Sequence, residues 1–292
     1  MNKIRPIIAN VGTTRHILKS FNLRASKRLG QNFLIDKGIV DDIVYAGDIA
    51  EGEPILEIGP GIGTLTQGLL EAGACVTAVE LDKKLPAVLA ETLAGYDNLQ
   101  VIQGDILKVD ILQIMNNKPF KVVANLPYYI TSQIILTLLE KNLPITKLVT
   151  MVQREVAERM VATPESLSAA KESAKTYGAL SVAVQFYTKP HIAFDVPPSA
   201  FLPSPDVTSS VIVCDVRQKP AVEVEDVKFF FRVVRAAFGQ RRKTLINSLA
   251  GAGFTRELLS KALEASNIDS QRRAETLSLQ DFATLSNNLI YS

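Results

Sequence analysis

The chain has no tryptophan and only two cysteines and two histidines in 292 residues. Cys75 and Cys214 are far apart, His16 and His191 are equally scattered, and no zinc-type ligand spacing or disulfide framework forms. Cys75, in the strand-like run ACVTAVE, reads as a core residue rather than a reactive thiol. Long apolar runs are missing too: none reaches the roughly 18 residues of a membrane span. The opening MNKIRPIIANVG lacks the continuous apolar centre of a secretory signal. These absences lead us to expect a cytoplasmic protein that works without a metal and makes no membrane contact. No long exposed apolar stripe demands a dimer, so a monomer is expected.

Acidic residues are missing from one stretch. Between Val227 and Thr255 lie Lys228, Arg232, Arg235, Arg241, Arg242 and Lys243 with no Asp or Glu, although the whole chain carries a net charge of only +2. A second cluster, Arg24, Lys27 and Arg28, precedes the first motif. One basic run is usually a solvated helix face. Two acid-free clusters flanking a candidate site fit a polyanionic partner.

What is present is a 47% hydrophobic fraction, enough for a large domain and a small one. ILEIG (55–59), CVTAVEL (75–81), LQVIQGD (99–105), KVVANL (121–126) and KLVTMVQ (147–153) read as five successive strands separated by helical stretches. After Gly178 the pattern changes. ALSVAVQFY is followed by KPHIAFDV and SSVIVCDV, which read as an antiparallel pair joined by a proline-rich loop and closing the sheet. From about Lys219 four segments carry helical apolar spacing with Gly or Asn stops. The expected architecture is α/β: a Rossmann-like domain over 1–218 with a mostly parallel seven-stranded sheet, and a small all-α domain over 219–292.

Strand ILEIG runs into Pro60-Gly61-Ile62-Gly63-Thr64, giving E-x-G-x-G-x-G from Glu57 to Gly63. Gly59, Gly61 and Gly63 would let the backbone approach a cofactor at the carboxyl end of the first strand. A lone glycine turn is weak evidence, since a tight βα turn needs the same residues. Nicotinamide enzymes use G-x-G-x-x-G, and counting from Gly61 the sixth position is Thr66. Glu80, about 20 residues past the loop, is placed to accept a ribose's hydroxyls, and Asp105 in Q-G-D-I to take an adenine amino group. Three strand ends in order describe an adenosine site without a phosphate cradle.

VVANLPYYITS (122–132) then leaves a strand through an amide, a proline and two phenols. An Asn-initiated turn capped by Thr131 or Ser132 explains the Asn but not the crowding of Pro and Tyr. If an adenine amine attacks a methyl on sulfur, it needs orientation more than a strong base. The Asn125 amide oxygen and the Leu126 carbonyl can accept its two N–H groups, Pro127 stiffens the turn, and Tyr128 offers a face for the purine. Phe201, in PPSAFLPSP, is suited to cover the base's other face, though core packing explains it equally well.

On these residues the sequence resembles the KsgA/RsmA family of small-subunit rRNA adenine dimethyltransferases. The likeness runs through KRLGQNFLID (27–36), EIGPGIGTLT (57–66), ANLPYYITS (124–132), MVQREVAERM (151–160), VPPSAFLPSPDVTSSV (196–211) and RAAFGQRRKTLINSL (235–249). The resemblance implies S-adenosylmethionine as donor. It implies as substrate two adjacent adenosines in the loop of the 3′-terminal hairpin of 16S rRNA in the 30S subunit or its precursor, each gaining two methyls on N6. It implies a role in subunit biogenesis, and cofactor contacts at Asn32, Leu34, Gly59, Glu80, Asp105 and Asn125. Arg235, Arg241, Arg242 and Lys243 are expected to face RNA between the domains, reading phosphates and shape. The chain departs from the family in a longer 163–177 loop.

Four other readings differ in class or target, one of them a nicotinamide dehydrogenase on the same Rossmann-like sheet. The related Erm enzymes modify a 23S rRNA adenine, generally show N-I-P-Y and lack AFGQRRKTL. DNA adenine methylases show Asp-Pro-Pro-Tyr or Asn-Pro-Pro-Tyr. A non-catalytic assembly factor could keep the cofactor fold and only bind immature subunits.

Overall fold

The computed structural model describes residues 6–26, 29–165, 177–240 and 242–291. The chain divides into two compact units, one of residues 1–157 and 191–216, the other of 158–190 and 217–292.

The first unit opens with α1 (Val11–Ser20), the two-residue β1 (Phe33–Leu34) and α2 (Lys37–Ala46), which starts where the Asp36 side chain accepts the N–H groups of Gly38 and Ile39. Strands β2 (Pro54–Ile58), β3 (Cys75–Glu80), β4 (Leu99–Gln103), β5 (Phe120–Asn125) and β6 (Ile145–Gln153) follow. They alternate with α3 (Thr64–Glu71), α4 (Leu85–Thr92), α5 (Ile111–Ile114) and α6 (Thr131–Glu140). β7 (Thr188–Val196), β8 (Phe201–Leu202) and β9 (Ser209–Val216) complete the strands.

Seven strands form one sheet in the order β4-β3-β2-β5-β6-β9-β7. The first five are mutually parallel and β9 runs antiparallel to β6. Central strands read as near-continuous apolar runs because helices cover both faces; Ile55, Leu56, Val122 and Val123 have no exposed surface. At the edge, β7 instead alternates exposed and half-buried positions between two buried ends. Cys75 departs from the core expectation: it is the exposed first residue of β3, before the buried run begins.

The sheet dictates where a ligand can sit. Strand order reverses between β2, which continues to β3, and β5, which continues to β6. At such a switch point adjacent crossovers go to opposite faces and leave a crevice beyond the strands' carboxyl ends.

Helix α7 (Arg154–Val161) runs from the first unit into the second. The second unit is helical: α8 (Ala179–Tyr187), α9 (Val227–Phe238), α10 (Leu245–Gly251), α11 (Arg256–Ala265) and α12 (Leu279–Tyr291). It takes in residues 158–190, which the expected boundary at 218 assigned to the catalytic domain. Aromatic burial is the reason. Phe186 on α8 is fully buried, with ring centroids 5.1 Å from Phe230 and 5.2 Å from Phe231 on α9. Tyr177 donates to the Leu277 carbonyl at 2.9 Å, and Gln185 donates to the carbonyls of Met160 and Ala162. Most of the long 163–177 loop lies outside the described residues.

Candidate functional site

The crevice beyond β2 and β5 is an open cleft, at the switch point where open α/β sheets bind ligands. It lies within the first unit. Asn32, Leu34, Gly59, Gly61, Glu80, Asp105, Asn125, Leu126, Pro127 and Tyr128 all line it.

Glu80, the last residue of β3, is 5% exposed, and its carboxylate ties two loops together. One oxygen accepts the Gly61 N–H at 3.2 Å and the other the Asp82 N–H at 2.7 Å. A carboxylate has about four acceptor positions, so Glu80 keeps capacity for hydroxyls in the cleft. Burial raises its pKa above the ordinary carboxylate value, and the N–H groups of Asp82 and Gly61 pull it back in part. Asp105, half-buried two residues past β4, accepts the Leu107 N–H at 3.1 Å, which aims its side chain along the loop.

The three motif glycines do different work. Gly59 has φ +69, and a Cβ built there meets nothing within 4 Å, so a side chain would project into the cleft. Gly61 has φ +61 and gives its N–H to Glu80. Gly63, expected from the motif to touch the cofactor, does not line the cleft. It sits at φ +95 at the start of α3, where a Cβ would lie 3.0 Å from Leu93 Cδ1 and 3.2 Å from Leu89 Cδ2. Its role is helix packing.

Asn125 ends β5 and donates through Nδ2 to the Asn32 carbonyl at 3.3 Å. This leaves Oδ1 as an acceptor. The turn after it is closed by Pro127, whose carbonyl accepts from the Ile130 N–H and the Thr131 hydroxyl. Helix α6 begins after Ile130 with no side-chain cap, so Asn125 is not spent on helix initiation. The Tyr128 hydroxyl lies 2.6 Å from Ser209 Oγ, and burial raises its pKa, partly offset by that bond.

Phe201 departs from its expected place. It is 3% exposed, belongs to the main apolar core and pairs in β8 with Leu34 of β1, and it does not line the cleft. Its backbone supports the cleft wall while its ring packs inward. Among the basic residues, Arg24 is exposed in the first unit and Arg235, Arg242 and Lys243 are exposed in the helical unit. Lys27, Arg28 and Arg241 lie outside the described residues.

Several residues were missed by sequence reasoning. Gln31 donates to Asp82 at 3.2 Å while its carbonyl oxygen accepts the Ser26 N–H, pinning residues 29–34 over the cleft. Q-N-F-L therefore reads physically as an anchor, a carbonyl for Asn125 and a two-residue strand. Glu57, only the first letter of the glycine motif in sequence, is 1% exposed on β2 and lines the cleft; its Oε2 has no hydrogen-bond partner among the described residues. Burial pushes its carboxyl up to about 8, Thr66 pulls the other way and the Glu80 charge adds to the rise.

These features fit the adenosyl sulfonium cofactor that the sequence resemblance implies. Gly59 leaves a space that any Cβ would fill, Glu80 offers free acceptors, and Glu57 is a buried acid without a partner where a cation could settle.

Comparison with known proteins points the same way. The family model for ribosomal RNA adenine dimethylase matches residues 22–290. The chain is 46% identical over 288 residues to the ribosomal RNA small subunit methyltransferase A of Alkaliphilus oremlandii (strain OhILAs), covering 97% of this chain and 98% of that one. It is 45% identical over 285 residues to the protein of that name from Clostridioides difficile (strain 630), covering 96% of each. Among solved structures, a dimethyladenosine transferase from Plasmodium falciparum is similar with a TM-score of 0.72 at 26% identity, over 87% of this chain and 95% of that one. The 23S rRNA methyltransferase ErmE shares the fold, with a TM-score of 0.66 at 24% identity over 89% of this chain and all of its own.

Two substitutions separate the glycines. Gly63→Ala is expected to lower stability by about 2–4 kcal/mol, from positive-φ strain and overpacking. Gly59→Ala should cost only about 1 kcal/mol but weaken S-adenosylhomocysteine binding by roughly ten-fold or more, because the cofactor must approach the backbone there. Denaturant midpoints and titration calorimetry check both, and unchanged binding by Gly59→Ala would remove the cofactor from that side of the cleft.

Glu57 predicts a pH dependence of defined sign. Its carboxyl titrates near 4.5 when unfolded and near 8 when folded, so between those values the native state holds the extra proton and stability falls as pH rises. Glu57→Gln removes this contribution. The stability difference between variant and wild type should grow from pH 5 to pH 8 and then level off, read from denaturant midpoints; a constant difference would show that Glu57 ionises normally.

Proposed function

The chain belongs to the ribosomal RNA adenine dimethylase family, and from that premise we propose that it methylates N6 of two adjacent adenosines in the 3′-terminal hairpin of 16S rRNA. Its substrate is the small subunit or its precursor, met in the cytoplasm by a monomeric enzyme that also serves subunit biogenesis. The observation that carries this reading is the Asn125 amide, held at the cleft beside Gly59 and Glu80 with its donor end tied to Asn32.

S-adenosylmethionine, when bound, supplies a methyl group made electrophilic by its positively charged sulfur. Glu80 would accept the ribose hydroxyls, Asp105 the adenine amino group, and Glu57 would face the ammonium end. These three acids sit at β2, β3 and the loop after β4, so the sheet's register sets their order along the cofactor. Gly61 contributes by fixing the Glu80 carboxylate.

The remaining residues act on the target base. Asn125 Oδ1 and the Leu126 carbonyl accept the two hydrogens of its amine, drawing the nitrogen lone pair out of conjugation and toward the methyl. Tyr128 stacks on the purine, its ring held by the Ser209 contact so that little rotamer freedom is lost on binding. After one transfer, and release of one of its protons to solvent, the amine carries a single hydrogen. One acceptor then suffices, which permits a second methyl on the same nitrogen.

The basic residues would hold the RNA backbone. Arg24, Lys27, Arg28, Arg235, Arg241, Arg242 and Lys243 contact phosphates in this reading and carry no base code.

The test is incubation of hypomethylated small subunits with labelled donor, followed by mass-spectrometric mapping of methylated adenosines. Four methyls on two neighbouring adenosines of the terminal hairpin are expected; label in 23S rRNA alone, or none, overturns the reading. Asn125→Ala should lower the methylation rate by about 100- to 1000-fold and leave subunit binding intact, and loss of both would show that the pocket is misassigned. Neutralising Arg242 and Lys243 should reduce the slope of log affinity against log salt by about 1 per side chain; an unchanged slope places the RNA elsewhere.

A further inference from the structure

The turn that carries Asn125 and Tyr128 ends in a second phenol with no task in the reaction described above. Tyr129 also lines the cleft, yet it is 59% exposed, while Asn125 and Tyr128 are partly buried. A single exposed aromatic is ordinary on a surface, as Tyr45 and Tyr291 are here; what sets Tyr129 apart is its place at the mouth of the cleft, where a flat ring can stack on a base.

The ring is also held in place. Gly30 has φ +61, and a Cβ built on it would fall 3.4 Å from Tyr129 Cδ1, 3.7 Å from its Cε1 and 3.6 Å from Pro127 Cβ. The ring therefore rests close over the Gly30 backbone on one side, and most of its surface remains open. Gly30 itself belongs to the segment fastened through Gln31 to Asp82 and through Asn32 to Asn125. One platform, Tyr128, thus lies inside the cleft and another, Tyr129, at its mouth, one residue apart on a turn closed by Pro127.

We propose that Tyr129 is a positioning residue that stacks on the nucleobase next to the target adenosine and holds the strand open while the target lies in the cleft. The inference rests on the function proposed above and adds to it the recognition of a neighbouring base. The chemistry favours it: a nucleotide turned out of its stack leaves its neighbour with one unpaired face, and an exposed phenol ring covers that face without regard to base identity. The hydroxyl is not needed, because stacking uses the ring.

The experiment uses the full chain and a terminal-hairpin RNA with 2-aminopurine on either side of the methylated adenosine, together with the unmodified hairpin or subunit for kinetics. Wild-type binding should quench one of the two probes. Tyr129→Phe should quench equally and keep kcat/KM. Tyr129→Leu, which retains an apolar contact over Gly30 but has no flat face, and Tyr129→Ala should leave the probe bright and lower kcat/KM by about ten-fold. All variants should bind S-adenosylhomocysteine as the wild type does, which shows that the cleft is folded. Equal quenching and equal kcat/KM in Tyr129→Leu and Tyr129→Ala would overturn the inference while the proposed function stands. Failure of the wild-type protein to methylate the RNA at all would instead overturn that function, and the inference with it.

Discussion

One hydrogen bond decides what the cleft can recognise. The Asn125 amide faces two ways, and the Asn32 carbonyl takes its donor end at 3.3 Å. In the function proposed above, only then is the acceptor end offered to a substrate amine, which then meets a partner of the right polarity. An aspartate at this position would set a carboxylate against the Asn32 carbonyl, two acceptors with no hydrogen between them. A leucine would leave that carbonyl without a partner in a partly desolvated site. The requirement spreads outward: Asn32 must be held, and it is held because Gln31 bonds Asp82 and Phe33–Leu34 pair with Phe201–Leu202. A segment distant in sequence is therefore part of the site's geometry without contributing its own chemistry.

This dependence explains which parts of the molecule were legible from sequence. The seven main strands were readable because apolar and β-branched runs separated by helical spacing permit little else, and 209–216 was bounded as the structure has it. The cleft positions of Glu80, Asp105 and Asn125 were readable because each ends or closely follows a recognisable strand. The helical boundary was not, since ALSVAVQFY is apolar all round. It lacks a two-residue or a 3.6-residue period, and only the Phe186, Phe230 and Phe231 rings show which core it joins. Gly63 and Phe201 failed for a shared reason: a motif letter states residue type, whereas lining a cleft depends on side-chain direction, and both face packed side chains.

Glu53 and Glu57 show how the surroundings of a buried acid decide its meaning. Glu53 is partly buried, but Lys121 Nζ lies 2.8 Å away, and Lys121 also donates to the Asp48 carbonyl. That acid and base satisfy each other, and the pair is structural. Glu57 has no such cation, and Glu80 is a second acid pressing on it electrostatically. Two buried carboxyls in one cleft without a counter-charge are expensive, and removing them would be expected to stabilise the fold.

The persistence of that arrangement is best explained by the ligand rather than the fold. A cofactor bearing a sulfonium and an ammonium brings positive charge into a cleft whose floor is acidic and whose walls, Ile58, Val79 and Ile106 among them, are apolar. Low polarity raises the cost of the bare carboxyls and equally raises the attraction of a cation for them. S-adenosylmethionine would lose its sulfonium charge on giving up the methyl but keep its ammonium, so the acids would hold the product through one positive charge instead of two. In the reaction proposed above, each methyl transfer would need one exchange of product for donor. A cleft that holds the donor by two positive charges and the product by one favours it.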